Sequence, residues 1–283
     1  MLRIAVPNKG SLSEAASTML QEAGYRKRRD TRELVMVDEA NNVEFFFLRP
    51  RDIAVYVAAG TLDVGITGRD LFRDARTNGE AEELMSLGFG RSTFRFAGPA
   101  GKYTSIDQLE GKRLATSYDG LLKDYLAEHN INVENVVRLD GAVESSIRLG
   151  VADVIADVVE TGNTLRAAGM DTFGEPILVS EAVVIGRKGV SHRDIDTLLR
   201  RLQSVLVARQ YVLMDYNIPR ELAEEARELT PGFDAPTMSP LQDESWVAMR
   251  VMVRKEEMNM VMDQLHTLGA RAILVSAILA TRI

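Results

Sequence analysis

The sequence predicts an α/β protein: two similar lobes facing one cleft, followed by a small ferredoxin-like βαββαβ domain. Three observations carry this. Up to roughly residue 185, short apolar runs alternate with amphipathic stretches of helical period, the mark of parallel-rich sheets with crossover helices. Second, the segment 60–71 is echoed by 150–165. Both open Gly-x-x-Asp-Val, at Gly60 and Gly150, and both close Thr-Gly-x-x-Leu, at Leu71 and Leu165. The two copies begin 90 residues apart, too far for a solenoid and right for equivalent turns of two lobes. Third, from about residue 210 the pattern changes to strand, helix, two strands, helix and strand.

The elements follow in order. The first lobe is expected to hold strands near 2–6, 44–48, 62–66 and 84–88, separated by helices near 11–23, 50–59 and 69–76. Ser11 with Glu14 reads as a capping box, and Pro50 suits a first helical residue after Arg49. The second lobe is expected to hold strands near 113–117, 135–139 and 153–159, with helices near 118–129, 142–149 and 163–169. Leu121, Leu122, Tyr125, Leu126 and His129 share one face of the first of these helices. The β-rich runs 91–98 and 179–186 bracket the second lobe as a double crossover. Lobe I is therefore 1–90 with 180–209, lobe II is 91–179, and the third domain is 210–283. A helix over 192–209 carries Ile195, Leu198, Leu199, Leu202, Val205 and Leu206 on one stripe, capped by Ser191 and Asp194. Beyond it the pattern gives a strand at 211–217 and a helix at 219–228 stopped by Pro231-Gly232. Strands at 235–239 and 246–253, a helix at 255–268 and a strand at 270–280 complete the domain, with Trp246 and the helix methionines in its core.

Composition narrows the function. Apolar residues make up 46% of the 283 and charged residues 27%, as in ordinary globular chains. A net charge of −7 argues against a general nucleic-acid binder, so an anionic ligand must be met by local cations. There is no cysteine, which excludes disulfides, zinc thiolates and thiol catalysis. Only His129, His192 and His266 are available, too few for a histidine-rich metal site. With a strand at the start and only the short apolar stretch 272–280 near the end, neither a signal peptide nor a membrane span is expected, and the location expected is cytoplasmic.

The candidate chemistry gathers at strand ends. Thr161-Gly162-Asn163-Thr164 offers hydroxyls and backbone N–H groups to a phosphate at a helix start. A plain strand-to-helix turn needs the same Gly and Thr, but Asp153 and Asp157 on the apolar strand upstream favour the site reading. Their carboxylates suit sugar hydroxyls or a magnesium ion. Lys9 and Gly10 close the first strand, Arg49 follows the strand at 44–48, and Asp70 sits in the echo turn. All lie where open α/β sheets bind ligands. The run Arg26-Lys27-Arg28-Arg29 reads as solvated surface. No Walker loop is present, and Gly88-Phe89-Gly90 lacks the third Gly and the helix of a dinucleotide fingerprint.

These residues resemble a known family, the long-form ATP phosphoribosyltransferases of the first step of histidine biosynthesis. The resemblance spans the chain. It includes Val6-Pro7-Asn8-Lys9-Gly10, Asn42-Val43-Glu44-Phe45-Phe46-Phe47-Leu48-Arg49-Pro50 and Gly65-Ile66-Thr67-Gly68-Arg69-Asp70. It continues through Arg138-Leu139-Asp140-Gly141-Ala142-Val143-Glu144 and Ala152-Asp153-Val154-Ile155-Ala156-Asp157-Val158-Val159 to Thr230-Pro231-Gly232 and Ala235-Pro236-Thr237. It implies a cleft of the periplasmic-binding-protein type. It places phosphoribosyl pyrophosphate at Asp153, Asp157, Glu160, Thr161, Gly162, Asn163, Thr164 and Leu165. It places ATP or pyrophosphate at Lys9, Gly10, Arg49 and Asp70, and histidine, as inhibitor, at Asn217, Phe233, Ala235, Thr237 and Ala272. Some relatives carry Asp where this chain has Asn217, so the histidine ammonium would meet an amide here. Homodimers and homohexamers are expected on the same ground.

The implied reaction is attack of adenine N1 on the anomeric carbon of phosphoribosyl pyrophosphate. That nitrogen has a free lone pair, so the work is positioning and charge stabilisation, with Mg2+ on the leaving pyrophosphate. Lys9 and Arg49 are the expected contacts to anionic oxygens, and Asp153 and Asp157 those to the ribose. Two rivals stand beside this: a two-lobed solute-binding or effector-sensing protein, and a purine or pyrimidine phosphoribosyltransferase. The second phosphate turn speaks against the first, the βαββαβ tail against the second.

Overall fold

The computed structural model describes residues 1–30, 32–190 and 193–282. By contacts the chain divides into two compact units, Met1–Thr197 and Leu198–Ile283. The division falls inside a long helix, earlier than the boundary expected at 209/210.

The first unit holds two sheets. One contains β1 (Leu2–Pro7), β2 (Val35–Asp38), β3 (Val43–Leu48), β4 (Val64–Gly68) and β5 (Ala81–Ser86). The other contains β6 (Ser92–Pro99), β7 (Arg113–Thr116), β8 (Asn135–Arg138), β9 (Val154–Val159) and β10 (Met170–Ser180). β11 (Ala182–Arg187) returns to the first sheet, giving orders β2-β3-β1-β4-β11-β5 and β10-β6-β9-β7-β8. In each sheet a central strand has parallel neighbours on both sides: β1 between β3 and β4, β7 between β8 and β9. Antiparallel strands close both flanks of the first sheet and one flank of the second, whose other edge is the parallel β8. Helices α1 (Ser11–Glu22), α2 (Pro50–Ala58) and α3 (Arg69–Asp74) belong to the first lobe. Helices α4 (Asp119–Glu128), α5 (Ser145–Arg148) and α6 (Asn163–Ala167) belong to the second.

Apolar patterning explains both cores. Ile53, Ala54 and Val57 on one face of α2 are fully buried, and a Cβ on Gly65 would stand 2.3 Å from Ile53, so α2 lies directly on β4. In the second lobe Phe94, Phe96, Leu114, Leu122 and Val154 are fully buried, each contributing about 1.5–3 kcal/mol by burial.

The internal echo marks equivalent places, since β4 and β9 each flank a central strand. The equivalence reaches the side chains. Asp63 accepts the Arg3 N–H at 2.8 Å, and Asp153 accepts the Arg113 N–H at 3.1 Å. Each Asp also pairs with the guanidinium of the same Arg, so in each sheet the strand with parallel neighbours on both sides is clamped near its start.

Several expectations are corrected. The N-cap of α1 is Gly10, at φ +81° and without a side-chain cap, so Ser11 and Glu14 form no capping box. The echo strand runs two residues later than expected, with Thr67 and Gly68 paired in the sheet. The run 179–186 divides at Glu181 into β10 and β11, which belong to different sheets. Helices expected at 142–149 and 163–169 shrink to four and five residues. Ser191, the expected cap of the long helix, and His192 lie outside the described residues.

Helix α7 (Arg193–Gln210) leads into the second unit. There β12 (Tyr211–Pro219), α8 (Ala223–Leu229), β13 (Thr237–Pro240), β14 (Trp246–Arg254), α9 (Met258–Leu268) and β15 (Arg271–Ala277) form the βαββαβ order. The sheet order β13-β14-β12-β15, antiparallel throughout, is the ferredoxin-like arrangement. Alternate residues of β12 (Val212, Met214, Tyr216 and Ile218) are buried in a core with Val261 and Leu265 of α9. Trp246 stands half-buried at a strand end, not in the core, with the Arg271 guanidinium 4.9 Å above its ring. Among the described residues no helix is long and apolar enough to cross a membrane.

Candidate active site

The carboxyl ends of the parallel strands carry the site. β1 runs out into Asn8, Lys9 and Gly10, with Lys9 exposed; β3 runs out into exposed Arg49, which opens α2. β4 leads into Arg69 and Asp70, and β9 into Glu160 and the turn 161–164.

The turn is open to ligand. Thr161, Asn163 and Thr164 are exposed, and Gly162, at φ +72°, opens α6. A side chain there would be strained. Arg166 braces the turn from behind, donating to the Thr161 carbonyl at 3.0 Å and to Asn163 Oδ1 at 2.7 Å. A cavity of about 260 Å3 opens beside Val158, Glu160, Thr161, Gly162, Thr164 and Leu165. With α6 a single short turn, its dipole is small; hydroxyls and backbone N–H groups are the donors.

Each lobe contributes a buried or half-buried acid, and the two act on one another through charge. Asp157, half-buried near the end of β9, accepts the Val158 N–H at 2.8 Å. Burial pushes its carboxyl above the usual range, and the negative charges of Glu144 and Asp70 act in the same direction. Asp70 is 7% exposed. Its N–H donates to Ser180 Oγ at 3.0 Å, and the Ser180 hydroxyl donates to its Oδ1 at 2.8 Å. Asp70 also acts on the buried Tyr118 hydroxyl: burial, then the negative charge of that carboxylate, pushes the phenol's pKa up. The Arg51 guanidinium lies 4.8 Å over the Tyr118 ring.

Asp153 does not join them. It precedes β9, four residues from Asp157, which in a strand is about 13 Å. Its carboxyl takes the Arg113 N–H and two guanidinium bonds at 2.9 and 3.1 Å, which hold its pKa down to about 2. The expected ribose contact is a clamp at the opposite end of the sheet. Arg51, Tyr118, Glu144, Arg166 and Ser180 escaped the sequence reading. Tyr118 had a signal, since it follows β7 as Asn8 follows β1; Ser180 had none, because it reaches Asp70 from 110 residues away.

The residues expected to bind histidine lie along one strand face and a neighbouring loop. Asn217 pairs with Ala248 and Arg271, and Thr237 with Arg250. Ala272 is exposed at φ +48°, beside a register break between β12 and β15. Phe233 packs edge-on against Tyr211, at the other end of β12, with ring centroids 5.5 Å apart. Asn217 and Tyr211 are about 20 Å apart along the strand, so the five do not close around one small pocket in this copy. A cavity of about 650 Å3 in this unit lies instead between α8 and α9, beside Glu225, Leu229 and Gln264.

A Thr-Gly-x-Thr turn at a strand end of a two-lobed α/β unit suits a transferase of the phosphoribosyl type, and the relatives of the chain are of that class. The ATP phosphoribosyltransferase family model matches residues 49–204, and the model of the HisG C-terminal domain matches 208–280. The chain is 71% identical to the ATP phosphoribosyltransferase of Arthrobacter sp. (strain FB24) and 65% to that of Micrococcus luteus, over all of both chains in each case. Among solved structures, the ATP phosphoribosyl transferase (HisG:HisZ) complex from Thermotoga maritima superposes with a TM-score of 0.63 at 25% identity. It covers 73% of this chain and 98% of the other. The chain belongs to the ATP phosphoribosyltransferase family, the transferases of histidine biosynthesis.

Proposed function

We propose that the cleft binds phosphoribosyl pyrophosphate on the turn 161–164 and ATP against the strand ends of the first lobe. Adenine N1 then attacks the anomeric carbon, and pyrophosphate leaves. The observation that carries this reading is the open turn 161–164 at the end of β9, with half-buried Asp157 just upstream of it on the strand. The attacking nitrogen needs no base, so Asp157 and Asp70 act by charge: they face a ribose that becomes positive as the leaving group departs. Asp157 accepts ribose hydroxyls and stabilises that charge; Thr161 and Thr164 donate to the 5-phosphate. Lys9 and Arg49, whose side chains have no ion-pair partner among the described residues, supply cations to triphosphate or pyrophosphate oxygens.

Magnesium enters with the substrates. Among the described residues no group of three metal-binding side chains forms a dedicated site, which fits an ion coordinated mainly by phosphate oxygens. When bound it neutralises the leaving pyrophosphate. The second unit is proposed to bind histidine as feedback inhibitor, in a homo-oligomer working in the cytoplasm. The test is pyrophosphate release from phosphoribosyl pyrophosphate and magnesium with each acceptor in turn. Release with ATP and an N1-substituted adenine product are expected; equal release with orotate or guanine overturns the reading.

A further inference from the structure

Helix α3 is six residues long, yet much of the cleft is fastened through it. Asp70 at its start holds Ser180. Asp74 at its end has a side chain only 6% exposed and spends both carboxylate oxygens on groups outside its own helix. Oδ1 accepts the backbone N–H of Gly120 at 2.9 Å and of Leu121 at 3.1 Å, in the first turn of α4 on the other lobe. The residue preceding α4, Tyr118, provides no side-chain cap, so Asp74 caps that helix from across the lobe boundary. The fit is backbone to backbone: a Cβ on Gly120 would stand 2.4 Å from the Asp74 carbonyl oxygen. Oδ2 pairs with Arg51 of α2. Just beyond α3, Arg76 pairs with Asp124 of α4. Arg51 in turn lies 4.8 Å over the ring of Tyr118, whose hydroxyl feels the Asp70 carboxylate.

We propose that Asp74 is a positioning residue of the transfer reaction: by holding Arg51 and the start of α4 on one carboxylate, it sets where Tyr118 and Asp70 stand in the cleft. This rests on the cleft reading above. Nothing in the sequence around Asp74 announces it, because its partners come from 23 and 46 residues away. The two oxygens do separable work. Capping needs only an acceptor, which an amide supplies, whereas the pair with Arg51 needs the charge.

Three single variants, and the double variant of Asp74→Asn with Arg51→Ala, separate them. Asp74→Asn keeps an acceptor for α4 and should melt within about 2 °C of wild type, less than 1 kcal/mol by the usual size scaling. Its kcat should nevertheless fall about tenfold to a hundredfold, the scale of one charged hydrogen bond, with both KM values within about threefold of wild type. Asp74→Ala should lose the same kcat and melt lower as well. Arg51→Ala should lower kcat like Asp74→Asn, and the double variant should be no worse than either, as expected for one coupled pair. A wild-type kcat in Asp74→Asn, or losses that add in the double variant, overturns the proposal while an active wild type keeps the cleft reading. A wild-type protein that releases no pyrophosphate with ATP overturns both.

Discussion

Asp157 and Asp153 share a strand segment and a residue type, and their environments give them opposite characters. Burial, with Glu144 and Asp70 near, raises the Asp157 carboxyl, so its ionised form is disfavoured in the folded state. Its contribution to stability is full below the unfolded carboxylate pKa of about 4 and is lost as pH rises through the raised folded value. At neutral pH the ligand-free protein therefore carries an unfavourable charge. Asp157→Asn should melt higher than wild type at pH 7, with the difference shrinking toward pH 4, while kcat/KM falls about a hundredfold, as when a preorganised electrostatic group is removed. Thermal melts across pH beside steady-state rates check both; unchanged rates would remove Asp157 from the site. Asp153 has the reverse sign. Its carboxyl is held down to about 2 by Arg113, so its contribution is present at neutral pH and is lost as pH falls through the ordinary carboxylate range toward 2. Asp153→Ala leaves the Arg113 N–H without its acceptor at a cost of about 1–3 kcal/mol, a fall of several °C in melting temperature. Affinity for phosphoribosyl pyrophosphate should stay within about twofold on that reading, which titration calorimetry checks. The pairing with Arg113 was legible in the repeat itself. Asp63 and Asp153 stand at the same echo position and Arg3 and Arg113 open equivalent strands, so a residue serving both lobes alike belongs to the scaffold the lobes share.

At the scale of elements, the strands that build the cleft were legible because each is an apolar run with a polar end. The short pieces were not. β2 is a four-residue edge strand whose outer face, with Val35 and Val37, is exposed, so burial gives it only half a pattern. α5 and α6 are too short for a helical period, and a helix that short is held by its surroundings. This brevity matters for the phosphate turn. With little dipole behind it, affinity must come from individual donors at 161–164 and from the brace of Arg166. Thr164→Val should weaken binding of phosphoribosyl pyrophosphate about tenfold to a hundredfold, the worth of one hydrogen bond to a charged group. Melting should move little, because the Thr164 side chain is exposed and makes no side-chain hydrogen bond among the described residues. Normal binding with an early melt would instead make Thr164 a helix-start residue with no ligand role.

At the scale of the molecule, the two units differ in what they can do chemically. All the acids, cations and turns proposed for transfer lie before residue 181 in the first unit, whereas the second unit is a four-stranded sheet with one buried face and one open face. The open face carries Asn217 and Thr237 beside the ion pair of Arg250 with Asp215, and Ala272 stands exposed next to them. A ligand held there is proposed to act on catalysis by favouring one arrangement of the protein over another, and such an effect is limited by its difference in affinity for the two. Ala272→Arg tests the proposed histidine site. The position already holds a non-glycine residue at φ +48°, so the substitution adds bulk and charge without demanding a new backbone conformation. The sheet should stay folded, catalysis without histidine should stay near wild type, and histidine inhibition should be lost or weakened at least about tenfold, a change of about 1.4 kcal/mol in binding. Rates measured across histidine concentrations at fixed ATP check this. Inhibition that persists unchanged in the folded variant, or histidine competing directly with ATP, would place the effector in the cleft and leave the second unit without a regulatory role.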